Sequence, residues 1–176
     1  ATGLDSVALG VSASATQNES FAAGTQSQAV ANQALAFGAN ANASGNYSLA
    51  VGSNSQASAE NAQALGDKAN ASGTSSFSAG ANSQATNTNS VAIGTGSSST
   101  NTSTLALGTI ARASGFQSTA IGFNANASAY DSVAVGAQSF ANAANTIAFG
   151  TSSKATSHGA MAFGLESQSS ADDSIA

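Results

Sequence analysis

Ser90-Val91-Ala92-Ile93-Gly94 decides the fold, because the chain restates its pattern on a fixed 14-residue period. Counting from Gly94, the same frame closes at Gly10, Gly24, Gly38, Gly52, Gly66 and Gly80 on one side. On the other it closes at Gly108, Gly122, Gly136, Gly150 and Gly164, without insertion or deletion. A fixed period of this length marks a solenoid, in which each repeat is one unit stacked on its neighbours.

Positions counted from each glycine give the shape of one coil. One residue before it stand Leu9, Phe37, Val51, Leu65, Ile93, Leu107, Ile121, Val135, Phe149 and Phe163, with Ala23 and Ala79 as the small exceptions. Three residues before it stand Val7, Phe21, Leu35, Leu49, Phe77, Val91, Leu105, Val133, Ile147 and Met161, with Gln63 and Thr119 as polar exceptions. Alanine lies between the two in every repeat but the one holding Ser78, and Ser, Thr or Ala lies four before. Large–small–large alternation in β-branched, aliphatic and aromatic residues predicts a short strand. After the glycine, the third and fifth positions are Ala or Ser and the one between is mostly Gln, Asn or Ser. That predicts a second strand with one tiny face and one solvated face. Strand, corner, strand, corner then fill each repeat, with two strands of about five residues each and the glycine at the first corner in a backbone conformation other residues resist.

The small rows on both strands point inward, since sheets faced with Ala and Ser can approach more closely than the ordinary spacing of roughly 10 Å. Charge supports this: none of the eleven charged residues falls in an inner row. A helical coiled coil also fits, as two heptads to the repeat, but a glycine in every second heptad and abundant Ser, Thr and Asn oppose it.

With the small rows inside, the large residues point out. They form a stripe of nearly two bulky apolar side chains per coil, at roughly 4.8 Å per coil. Soluble monomers do not usually leave such a stripe bare, so another copy of the chain is expected to cover it. Bulk is balanced along it, as Phe21 beside Ala23 and Phe77 beside Ala79 show.

Composition narrows the function. Charged residues make up 6% of the 176, the net charge is −5, and the only fixed cations are Lys68, Arg112 and Lys154. Without a basic patch, nucleic acid is not an expected partner. There is no cysteine and no apolar run long enough for a membrane helix. His158 is the single histidine, the carboxylates are scattered over different coils apart from Asp172-Asp173, and each frame glycine is alone in its coil. No catalytic constellation, metal set or phosphate cradle is implied, so the sequence calls for no enzyme activity and no cofactor. The best binding signal is aromatic. Phe116 and Tyr130 share one turn position in consecutive coils and should stack, while Phe123, Phe140 and Arg112 lie nearby in sequence and outside the stripe. Exposed aromatics with an arginine form a candidate ligand patch, against the simpler reading of a stabilising ladder.

The motif Asn89-Ser90-Val91-Ala92-Ile93-Gly94, echoed by Asp131-Ser132-Val133-Ala134-Val135-Gly136 and Asp5-Ser6-Val7-Ala8-Leu9-Gly10, resembles the head repeat of trimeric autotransporter adhesins of Gram-negative bacteria, specifically the YadA-like head. The resemblance covers essentially the whole chain. It implies an all-β, left-handed parallel β-roll of about twelve coils and three rolls packed as a homotrimer with the aliphatic pair facing the trimer axis. It further implies display at the bacterial cell surface. The partner it implies is a host extracellular matrix protein such as collagen, laminin or fibronectin. Residues 1–176 read as one repetitive head domain cut from a longer surface protein, whose neck, stalk and outer-membrane anchor are not in this sequence. Two other roles remain open: a fibre or spacer segment of surface or phage-tail type, and an ice-binding solenoid, which the irregular outer threonines disfavour.

Overall fold

The computed structural model describes all 176 residues, in two compact units, Ala1–Asn89 and Ser90–Ala176. Both are all-β, and each holds six turns of a parallel solenoid. In the first unit the three-residue strands Val7–Leu9, Phe21–Ala23, Leu35–Phe37, Leu49–Val51, Gln63–Leu65 and Phe77–Ala79 form one parallel sheet. The two-residue strands from Ser14–Ala15 to Gln84–Ala85 form a second. The second unit repeats this with Val91–Ile93 to Met161–Phe163 and with Ser98–Ser99 to Gln168–Ser169. Register within each unit follows the sequence repeat, so identical positions stack: Val91 on Leu105, Ala92 on Ala106, Ile93 on Leu107.

The strands are shorter than the sequence pattern predicts, because corners take most of each turn. Each turn has two residues in the left-handed region, one at each corner. The first corner holds Asn40, Asn54 and Asn124 at φ 52° to 56°; the second holds Gln33, Asn61 and Asn145 at φ 53° to 59°. This conformation directs the corner amide to the turn before it. Asn40 N donates to Thr25 O at 2.9 Å and Gln33 N to Asn18 O at 2.9 Å. The backbone ladder thus continues around the corners, and buried peptide groups are left with partners. The frame glycine precedes the first of these corners at φ +117° to +136°, a region closed to residues with a Cβ. Gly45, Gly73 and Gly115 need no unusual φ, but there too a Cβ would overlap a carbonyl of the next turn, that of Ala59, Asn87 or Ala129.

The core is alanine and hydroxyl. Ala22, Ala36, Ala50 and Ala64 of the first sheet and Ala29, Ala43, Ala57 and Ala71 of the second are fully buried, and no charged residue is buried. Many buried serines satisfy themselves by folding back on their own corner, though Ser48 and Ser76 Oγ have no partner. Ser27, Ser55 and Ser97 Oγ each donate to the carbonyl of the frame glycine three residues before, at 2.9 Å. At the other corner Ser118 donates to Gly115 O at 2.7 Å and Thr146 to Ala143 O at 2.6 Å. Because the hydroxyl's partner is local, the chain can place Ser or Ala at these positions from one repeat to the next without rearranging its neighbours. Ser78 replaces the alanine of the other repeats without opening the core to water. It is fully buried, with its Oγ 2.7 Å from Ser83 Oγ. Ser99 likewise lies 2.6 Å from Thr104 Oγ1.

Candidate functional site

Three outer surfaces remain once the inner rows are assigned. The first is the face of the three-residue strands. Along it the large row points away from the core, and its members are half-buried or exposed while the intervening Ala is sealed. Leu9 is 56% exposed, and Phe149 and Phe163 about as much, at 53% and 50%. Within each unit the rings pack on one another. Phe21 and Phe37 stack with centroids 5.0 Å apart, Phe37 filling the space over its register partner Ala23. Phe149 and Phe163 meet at 6.5 Å. Gln63 and Thr119 sit in this row, with Gln63 exposed and Thr119 half-buried.

The second surface is the corner between the two-residue strand and the next three-residue strand. Here Phe116 and Tyr130 stack with centroids 5.6 Å apart and planes within 8°. They expose 40% and 52% of their surface. The fold places the remaining members of the aromatic group elsewhere. Arg112 and Phe140 lie on the outer face of the second sheet, separated by Asn126, to which both are paired in register. Phe123 follows Gly122 at the opposite corner. Only Phe116 and Tyr130 therefore form a joint surface. His158, on the same corner, has Nε2 3.2 Å from Asn145 Nδ2. No three His, Cys, Asp or Glu side chains gather in a way that could hold a metal ion, and no helix is long and apolar enough to cross a membrane.

The third surface is the outer face of the second sheet in Ala1–Asn89. Read simply as solvated, its row is Gln28, Asn42, Gln56, Asn70 and Gln84, stacked in register. Long and short carboxamides alternate, so each Asn is the floor of a recess walled by two Gln. One recess, of about 430 Å³, lies over Asn42 between Gln28 and Gln56, flanked by Gln26 and Asn40. The other, of about 420 Å³, lies over Asn70 between Gln56 and Gln84, flanked by Asn54, Lys68 and Asn82. Asn42 Oδ1 is buried and has no hydrogen-bond partner. The available signal was the Gln/Asn alternation from one repeat to the next, which composition alone hides.

Comparison with known proteins agrees with this geometry. The YadA head domain repeat, two copies per match, matches residues 1–27, 16–41, 29–55, 43–69, 57–83, 71–97, 85–111, 99–125, 113–139, 127–153, 141–167 and 155–176. No curated protein matches the chain. Among solved structures, the crystal structure of the collagen-binding domain of the Yersinia adhesin YadA is similar, with 30% sequence identity and a TM-score of 0.50. That match covers 74% of this chain and 65% of the Yersinia chain, a little under two thirds of its length. With a repeat matched from the first residue to the last and a parallel solenoid of the same period beneath it, the chain belongs to the YadA head family of adhesins.

Proposed function

We propose that the chain is the head of a bacterial surface adhesin that works as a homotrimer, attaching the cell to host extracellular matrix by multivalent, non-catalytic contacts. The observation that carries the reading is the large row of the first sheet. Val7, Leu35, Val91, Leu105, Val133 and their neighbours turn bulky apolar side chains away from an alanine core that has no room for them. Burial of such a stripe contributes about 25 cal/mol for each Å² of apolar surface removed from water, and its bulky side chains carry more of that area per residue than an Ala/Ser core. A second and third copy of the chain are the natural cover. The similar Yersinia domain binds collagen, so collagen is the first partner to test here, with laminin and fibronectin after it. The exposed Phe116–Tyr130 stack is the protein-ligand contact this reading favours, since aromatic anchors concentrate binding energy. Display of many heads on one cell then raises avidity without strong single contacts.

Light scattering tests the assembly directly. One chain is 16.8 kDa, and the expected mass is that of three copies. Ile93→Asp/Ile121→Asp should abolish the trimer, because each copy would place two carboxylates in the contact. A stable wild-type monomer would overturn the assembly. A trimer that coats none of collagen, laminin and fibronectin in a solid-phase assay would leave the protein a spacer and not a matrix adhesin.

A further inference from the structure

We infer that the carboxamide row on the second sheet of Ala1–Asn89 is a binding site for a neutral, hydroxyl-rich glycan chain, held in the two recesses over Asn42 and Asn70. The recesses are about 430 and 420 Å³, within the range of small-molecule sites. They are built alike, share the wall residue Gln56, and lie two turns apart, roughly 9.6 Å at the spacing of stacked strands. Two equal sites in line fit a repeating polymer better than a single compact ligand.

The chemistry of the lining selects the class. Carboxamides both donate and accept hydrogen bonds, and so do sugar hydroxyls. A Gln or Asn side chain can meet two neighbouring hydroxyls at once, one through its oxygen and one through its nitrogen. The lining carries no carboxylate and a single cation, Lys68, so an anionic polymer or an acidic peptide would find little to hold it. No aromatic side chain lines either recess, whereas grooves for proline-rich extended peptides are aromatic-lined. The corresponding row of Ser90–Ala176 carries Arg112, Phe140 and Lys154 in place of an unbroken carboxamide series. This site lies on the second sheet and not on the face that carries the apolar stripe.

The test uses the full chain, ¹⁵N-labelled, titrated separately with maltohexaose, cellohexaose and chitohexaose while the side-chain NH₂ resonances are followed. At least one hexasaccharide should shift the signals of Gln28, Asn42, Gln56, Asn70 and Gln84. Gln56→Ser removes a wall from both recesses and should weaken that binding by about tenfold, the loss of one or two hydrogen bonds. Ser14 and Ser98 occupy the same row in other turns, so this variant keeps the fold, which its backbone spectrum verifies. Arg112→Ser, in the same row of the other unit, should leave binding unchanged. Silence of all three sugars would overturn the inference. So would shifts that Gln56→Ser does not weaken, or shifts produced by decaproline alone, which would make the row a peptide groove.

Discussion

Three glycine substitutions separate the two reasons a turn of this solenoid needs its frame glycine. In Gly122→Ala the new Cβ would lie 2.6 Å from Gly136 O and 2.7 Å from its carbonyl carbon, on a backbone at φ +131°. In Gly164→Ala of this 176-residue chain, whose sequence ends before the turn that would stack on Gly164, the backbone is similar, φ +117°, but nothing lies within 4 Å. In Gly96→Asn the backbone is in the ordinary left-handed region at φ +65°, and the nearest atom to a Cβ is Ile110 Cγ2 at 3.3 Å. The strain shared by the first two is about 1–3 kcal/mol. Gly122→Ala must in addition push apart neighbouring turns that are joined by Gly136 N→Ile121 O and Gln138 N→Phe123 O, each 2.8 Å. Losing both bonds adds about 2–6 kcal/mol, a large share of a typical total of about 5–15 kcal/mol. Asparagine at 96 tolerates its backbone and restricts the unfolded chain, so that variant should be neutral or gain up to about 1 kcal/mol. Urea unfolding followed by circular dichroism, at one fixed protein concentration, reads all three. With a urea slope of about 2 kcal/mol per molar, Gly122→Ala should lower the midpoint by about 2 M or more. Gly164→Ala should lower it by about 1 M, and Gly96→Asn should not lower it. Equal midpoints for Gly122→Ala and Gly164→Ala would refute the reasoning, because contact between turns would then contribute nothing.

Other perturbations probe separate features. Ser48 and Ser76 Oγ are buried without a partner, and alanine fills the same position at Ala34 and Ala62; Ser48→Ala and Ser76→Ala should therefore be neutral or stabilising by up to about 1 kcal/mol. Ser118→Ala, which loses a 2.7 Å bond to Gly115 O, should cost about 1 kcal/mol in the same urea titration. Ile110 is a β-branched residue held at φ +52°, so Ile110→Asn should raise the thermal midpoint by relieving about 1 kcal/mol of strain; an unchanged or lower midpoint would show that its side chain repays the strain by packing. Phe116→Ser with Tyr130→Ser should reduce solid-phase collagen binding while leaving the mass by light scattering unchanged; retained binding would make the stack a structural ladder only.

The repeat was legible because every one of its physical requirements recurs at one spacing. Alternation of large and small residues around Ala92 and its equivalents set the strand and its two faces, and the exclusion of charge from the small rows set which face is inside. The stacking of Phe116 on Tyr130 followed from the same ruler, since equal positions in successive turns must superpose. What the ruler could not supply was distance around the turn. Arg112, Phe123 and Phe140 are near Phe116 in sequence, yet they leave on the outer sheet face or at the other corner, because a few residues of so short a turn already reverse the chain's direction.

By itself, then, the sequence determined the period, the inner and outer rows, the place of the glycine and the absence of room for bulky side chains in the core. These are consequences of side-chain volume and polarity at fixed intervals, which need no coordinates. The tertiary structure decided the rest. The length of the strands and the two left-handed residues per turn depend on how corner amides reach the turn before. The rescue of Ser78 by Ser83 depends on where two hydroxyls meet inside the coil. The recesses over Asn42 and Asn70 exist because stacking sets a one-carbon difference between Asn and Gln side by side, turning a difference of reach into a shape.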